Sequence, residues 1–199
     1  VIIGDMMNMG LRNSKSNVYE EALSPMEQKE LCYELLSPIA DKIIAGCSGN
    51  HEYRAVKDVG MNPLYDVFCR LRIEDRYREN ACFIKLTVGK QGKNPNTYGV
   101  VLTHGSSKSK DEKWTYGVDG CDCFVSGHTH DALHKPLGKV RMDITHNKVK
   151  TVGYQHVVVI PFQAYGGYAA RGKYMPNHLG QFQRITFDGT SKRVGYTYY

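Results

Sequence analysis

The sequence contains no apolar run approaching the roughly 20 residues that a membrane-spanning helix needs. A signal-peptide pattern, an internal repeat and a low-complexity segment are also missing. The six cysteines include no CxxC pair, which excludes the usual zinc-knuckle spacing. Most of them lie in apolar stretches, where free cysteine behaves as a small hydrophobic residue. We therefore predict a cytoplasmic protein that has no membrane partner.

The composition that is present is typical of one globular domain. The chain has 199 residues, of which 41% are hydrophobic and 23% are charged, and we predict a single domain over 1–199. The net charge of +6 suits anionic partners such as phosphate esters and nucleic acids. The basic residues are scattered rather than arranged in a stripe, so nucleic acid is only a secondary candidate partner.

Short apolar runs alternate with helical patterns over the N-terminal two-thirds. Ser24, Pro25 and Glu27 form a capping-box start for one helix, which Pro38 is expected to end or kink. "NPLYDVFCRLRI" predicts a second helix, and a weaker helical pattern covers 111–118. Sequence patterns typical of β-hairpins follow in "KVRMDITHNKVKTV" and "GQFQRITFDGTSKRVGYTYY". This order predicts an α/β fold in which the sheets are flanked by helices.

Four of the predicted strands end in residues that commonly bind metal ions. These ends are Gly4-Asp5, the segment 48–52 ("SGNHE"), His104-Gly105 and the segment 127–130 ("GHTH"). Ligands of open α/β sheets bind beyond the carboxyl ends of the strands. One such end has little meaning alone, but four in succession predict that Asp, Asn and His side chains meet at one site.

Spacing suggests different tasks within these segments. If the chain leaves its strand extended, His128 and His130 point the same way and can serve one metal cluster. Asn50 and His51 are adjacent and should diverge, so that the amide oxygen can bind a cation while the imidazole remains available for proton transfer. Asp131 and Glu52 are alternative candidates for a hydrogen bond to an imidazole ligand.

The motif series resembles that of the calcineurin-like metallophosphoesterases. "GD", "GNHE", a histidine after an apolar strand and "GHTH" carry the resemblance, which runs from Gly4 to His130. The tail "PFQAYGGYAARGKYMP" is similar to bacterial and phage members, whose cytoplasmic setting agrees with the cysteine usage. The resemblance implies a four-layer α/β/β/α sandwich that holds a two-metal centre at its strand ends.

The resemblance also implies roles for individual residues. Asp5 matches the carboxylate that bridges the two metals, and His130 matches a ligand of the second metal. The other ligands of the first metal are Asn50, His104 and His128. Manganese is the first choice for the cofactor, and iron, zinc, nickel and magnesium also suit such ligands.

Two further residues would act on the substrate. His51 matches the group that protonates or stabilises the leaving oxygen, and we suggest Arg54 as a contact to the substrate phosphate. The implied activity is hydrolysis of phosphate mono- or diesters, in which metal-activated water attacks phosphorus in line. A nuclease of the DNA-repair type is one alternative, and a catalytically impaired scaffold that binds metal and partner proteins is another.

One element of the family pattern is missing. The family begins with an Asp-x-His motif after an earlier strand, and only Val1–Gly4 precede Asp5. The second metal is left with Asp5 and His130, so one site is expected to be incomplete. We expect an N-terminally truncated chain of an active-type enzyme. The alternatives are that another segment or chain supplies the missing ligands, or that catalysis has been lost.

Overall fold

The structure is a computed structural model that describes residues 1–12, 14, 18–90, 94–106, 108–162, 166, 170–173 and 183–199. Its α-helices are α1 (Pro25–Leu36), α2 (Glu52–Val59), α3 (Pro63–Arg70) and α4 (Lys108–Thr115). The first five strands are β1 (Ile2–Ile3), β2 (Gly46–Cys47), β3 (Tyr77–Arg78), β4 (Ala81–Val88) and β5 (Asn96–Thr103). The others are β6 (Cys123–Ser126), β7 (Leu133–Asp143), β8 (Lys148–Val158), β9 (Gln183–Phe187) and β10 (Val194–Tyr198).

The chain divides into two compact units. The first unit comprises Val1–Cys82 and Leu102–His104, and the second comprises Phe83–Val101 and Gly105–Tyr199. The last two residues of β5 and the histidine that follows them therefore belong to the first unit. The single domain over 1–199 stays a prediction.

The first unit contains a small parallel sheet in the order β1-β2-β3. Ile2 pairs with Gly46 and Ile3 pairs with Cys47, so β1 and β2 end at the same edge. Fully buried side chains of α3, among them Leu64, form the core of this unit together with residues of α1 and α2. Burying a side chain of this size stabilises the fold by about 1.5–3 kcal/mol.

The helix starts follow from local chemistry. The predicted capping box of α1 is confirmed, because Glu27 accepts the Ser24 backbone N–H at 2.7 Å and the Ser24 side chain accepts the Glu27 N–H. The α-helix ends at Leu36, and the segment Ser37–Lys42, which contains Pro38, continues as a 3-10 helix. Asn62 caps α3 in the same manner by accepting the Tyr65 N–H. The sequence patterns did not separate α2 from its neighbours.

The second unit contains a mixed sheet in the order β4-β5-β6-β8-β7. β6 and β8 are parallel, whereas β7 and β8 are antiparallel and form a ribbon of eleven residue pairs, from Leu133↔Val158 to Asp143↔Lys148. β9 and β10 form a separate antiparallel pair. Both predicted hairpins are therefore confirmed. Their strands alternate residues between two faces, the pattern from which they were predicted.

These elements confirm the α/β class, and the four-layer sandwich stays a prediction. The tail segment 161–176 lies for the most part outside the described residues, and its likeness to bacterial and phage proteins stays a prediction. Within the described ranges, every helix is too short or too polar to cross a bilayer.

Candidate metal centre

The ends of β1 and β2 pack against each other through two glycines. A Cβ atom at Gly4 would lie 2.2 Å from the backbone nitrogen of Gly49, and one at Gly49 would lie 2.1 Å from Oδ1 of Asp5. Gly4 has φ +80° and Asp5 has φ +52°, so the chain turns through the left-handed region at both residues. An aspartate in this region is unusual and strained, and its surroundings must hold it there.

His104 follows β5 and is only 6% exposed. Its Nδ1 lies 2.7 Å from the carbonyl oxygen of Ile3, which can only accept a hydrogen bond, so Nδ1 carries a proton. Its Nε2 lies 3.1 Å from Oδ2 of Asp5 and 3.0 Å from Oδ1 of Asn50. A backbone carbonyl thus fixes the tautomer and directs the other ring nitrogen at two oxygens, as it does for histidines that bind metals.

The charges of Asp5 and His104 stabilise each other. Burial alone would raise the pKa of Asp5, but hydrogen bonding and the positive charge of His104, together with His51, hold that pKa below its usual value. Burial alone would lower the pKa of His104, but the hydrogen bond and the negative charge of Asp5 raise it instead. Without a metal, the pair therefore favours carboxylate beside imidazolium.

His51 lies at the start of α2, beside the same carboxylate. Its backbone N–H donates to Oδ1 of Asp5 at 2.9 Å, and its Nε2 lies 3.7 Å from Oδ2. Its side chain does not cap the helix. The neighbouring Asn50 instead directs its amide oxygen at His104. The two adjacent residues thus make different contacts at one site.

Arg54 lies one turn further along α2. Its guanidinium donates to the carbonyl oxygen of Asn8 at 2.8 Å and approaches the side-chain oxygen of the same residue at 3.4 Å. Arg54 is therefore held against the loop that follows Asp5. Its proposed contact with substrate phosphate stays a prediction.

Glu52 has a different environment from the one that the sequence suggested. Its carboxylate accepts hydrogen bonds from the backbone N–H groups of Asp5, Met7 and Gly49. Burial raises its pKa, and the nearby charge of Asp5 acts in the same direction, whereas the three N–H groups act against it. The hydrogen bonds found for Glu52 go to backbone amides rather than to an imidazole. Its position two residues after Asn50 gave no indication of these bonds.

His128 and His130 belong to the second unit, where they follow β6. Both have left-handed backbones, with φ +68° and +55°, and the intervening Thr129 donates its N–H to the carbonyl of Gly127 at 2.8 Å. The prediction of an extended segment is therefore wrong. The chain turns immediately after the strand, and simple alternation does not give the direction of the two rings.

The structure brings Asp5, Asn50, His51 and His104 together in the first unit. Asp5 and His104 belong to a possible metal-binding cluster. One carboxylate oxygen, one amide oxygen and one imidazole nitrogen suit manganese, iron or zinc better than calcium, which prefers oxygen ligands alone. Comparison with protein-family models, with curated proteins and with solved structures finds no match to this chain. The individual ligand assignments stay predictions.

Proposed function

We propose that this protein is a metal-dependent hydrolase of phosphate mono- or diesters. The proposal is supported first by the convergence of two oxygens, from Asp5 and Asn50, on Nε2 of His104. With Nδ1 protonated, Nε2 can meet both oxygens favourably only if it carries a second proton or if a cation lies between the three atoms. A divalent cation at this position would replace the second proton of His104, and three atoms of suitable type would bind the cation. The residues therefore fit a metal ion.

The chain's own groups supply the remaining chemistry. When bound, divalent cations supply positive charge that neutralises phosphate oxygens and lowers the pKa of water. Asp5 and His104 would hold the cation in a largely buried position, where electrostatic interactions are strong. His51 would donate a proton from its imidazole to the leaving oxygen, because its ring lies beside Asp5 rather than capping α2. Arg54 would contact the phosphate from the same helix.

The wider assignment rests on the motif series in the sequence. We propose that the chain is a calcineurin-like metallophosphoesterase and that its sheets form the four-layer sandwich of that family. His128 would complete the first metal site, and His130 would bind the second metal together with Asp5. Manganese is the proposed metal for both sites. These assignments depend on the order of the motifs along the chain.

Hydrolysis of an aryl phosphate monoester and an aryl phosphate diester with Mn²⁺ tests the proposal. We expect turnover of at least one ester, and His51→Ala should lower it by about 10²–10⁴-fold while leaving metal content unchanged. His134→Ala, in β7, serves as the control. If metal is bound and neither ester is hydrolysed, the scaffold alternative is favoured. Equal loss of metal and turnover in His51→Ala would make His51 a ligand.

A further inference from the structure

Glu52 is a fully buried acidic residue that joins two strand-end loops. Its side chain is 0% exposed. Oε2 accepts the N–H of Asp5 at 2.9 Å and the N–H of Gly49 at 2.8 Å, and Oε1 accepts the N–H of Met7 at 3.1 Å. One carboxylate thus binds the backbone after β1 and the backbone after β2 at the same time.

Burying a carboxylate in this way is unfavourable in free energy unless other contacts offset the lost solvation. Removing a carboxylate from water is unfavourable by several kcal/mol unless hydrogen bonds replace the lost solvation. Here both oxygens accept hydrogen bonds from backbone amides, which replace the lost solvation. All three bonds go to the chain itself, so these contacts give Glu52 no role as an acid, a base or a ligand.

Glu52 and the preceding residue hold Asp5 at both of its ends. Glu52 accepts the backbone N–H of Asp5. The backbone N–H of His51 donates to the carboxylate of Asp5 at 2.9 Å. Such support matters because the φ of Asp5, +52°, costs more free energy than it would for glycine, although aspartate tolerates this region better than most residues. The tight approach of Gly49 to Asp5 leaves little room for adjustment. The first turn of α2 therefore fixes the backbone of Asp5 and the direction of its carboxylate.

We propose that Glu52 is a positioning residue that holds Asp5 in the conformation required to bind the metal, an inference that rests on the proposed function. The carboxylate of Glu52 acts through Asp5 and does not touch the metal or the substrate. Residues that orient metal ligands typically change metal affinity by about 10–100-fold when they are replaced. Glu52 should therefore influence metal affinity more strongly than its contribution to folding stability would suggest.

Two replacements of Glu52 separate positioning from stability. In Glu52→Gln, the amide oxygen can still accept the N–H groups of Asp5 and Gly49, but the NH2 group faces the N–H of Met7, so that bond is lost and two donors meet there. In Glu52→Ala, all three bonds are lost. Val67→Ala, a fully buried position in α3, provides a destabilised control that leaves these bonds intact. Mn²⁺ affinity by titration calorimetry and thermal stability are measured for all three variants and for the unaltered chain.

We expect Mn²⁺ to bind about 10–100-fold more weakly to Glu52→Ala than to the unaltered chain, and nearly normally to Glu52→Gln and Val67→Ala. All three variants should have a lower melting temperature than the unaltered chain. An affinity loss that simply follows the loss of thermal stability across the variants would overturn the proposal. Unaltered affinity in a folded Glu52→Ala would do the same.

A measurement on the unaltered, metal-free chain guards against a variant that does not fold. The amides of Asp5 and Gly49 lie in loops, but we expect them to exchange with solvent as slowly as the amides of strand β5, because Glu52 accepts hydrogen bonds from both. Rapid exchange would overturn the proposal. If the unaltered chain binds no Mn²⁺, this inference and the proposed function both fail. If it binds Mn²⁺ but hydrolyses neither ester, only the proposed function fails.

Discussion

The strand-end loops of the first unit and the β7–β8 ribbon of the second are built in opposite ways. The loops around Asp5 contain almost no regular structure, yet their polar side chains are hydrogen-bonded to residues more than 45 positions away. The ribbon has eleven regular residue pairs, yet Val140, Met142 and Val149 are each at least 70% exposed. Backbone pairing carries the distal end of the ribbon, and buried side chains such as Tyr154 and Val157 support its other end. In the loops, by contrast, side-chain hydrogen bonds take the place of regular pairing.

This difference indicates where substitutions should matter. A ribbon stabilised by its own ladder of hydrogen bonds tolerates changes to exposed side chains, because those side chains make few contacts that can be lost. A buried set of mutually dependent polar groups does not, because removing one partner leaves the others unsatisfied. The comparison therefore predicts large effects on metal binding in the first unit and small effects in the distal ribbon.

The largest effect is expected from His104→Ala. This change removes the imidazole that Asp5 and Asn50 both face, and we expect Mn²⁺ affinity to fall by at least about 100-fold, since a ligand matters more than the residues that orient it. Equilibrium dialysis with elemental analysis measures the bound metal.

The matched control is His134→Ala, in the ribbon. His134 stacks on Tyr196 with ring centroids 4.3 Å apart, and its Nε2 lies 2.8 Å from the side-chain oxygen of Gln155. These contacts need no metal, so Mn²⁺ affinity should be unchanged. Comparable losses in the two variants would contradict the assignment of the metal site to the loops.

Some features of the fold were predictable because they depend on neighbouring residues. The capping box of α1 needs only Ser24 and Glu27, three positions apart, and the hairpins need only alternating side chains and a turn. The ends of β1, β2 and β5 were predictable from apolar runs that stop at polar residues. The convergence of Asp5 with His104 followed from the general behaviour of strand ends in α/β sheets.

Other features depend on contacts that no local pattern encodes. Glu52 was one of two candidates, with Asp131, for a hydrogen bond to an imidazole. It instead accepts hydrogen bonds from amides that lie 47 and 45 residues earlier in the chain, and from that of Gly49. The extended backbone predicted for His128 and His130 is wrong, because both residues adopt left-handed φ values that side-chain alternation cannot reveal. Two-residue strands such as β1 are also too short for periodicity to define their bounds.

A smaller effect concerns the pKa of His104 in the metal-free protein. Burial lowers the pKa of His104, and the hydrogen bond and negative charge of Asp5 raise it, so Asp5→Asn should lower this pKa. Because the folded-state pKa of His104 is raised, the pair stabilises the fold fully below the ordinary histidine value and loses that contribution as the pH rises through the raised pKa. The difference in free energy of unfolding between the unaltered chain and Asp5→Asn should therefore become smaller as the pH rises above the raised pKa of His104.

Titration of the His104 ring by NMR measures the shift. Asp143→Asn is the control, because Asp143 carries the same charge but lies at the end of β7 beside Lys150. It should leave the His104 titration unchanged. A His104 pKa that does not respond to Asp5→Asn would mean that the imidazole is not coupled to this carboxylate.

The smallest effect is expected at the exposed face of the ribbon. Met142→Ser should change the free energy of unfolding by less than about 0.5 kcal/mol, since Met142 is 70% exposed and its partner Val149 is exposed as well. Leu64→Ala, at a fully buried position of the first unit, should cost about 2–5 kcal/mol because it leaves a cavity in a packed core. Denaturant titration measures both values. If Met142→Ser lowered the free energy of unfolding almost as much as Leu64→Ala, the exposed face of the ribbon would have to be covered by an interface in solution. The contrast between the two regions would then not apply to that face.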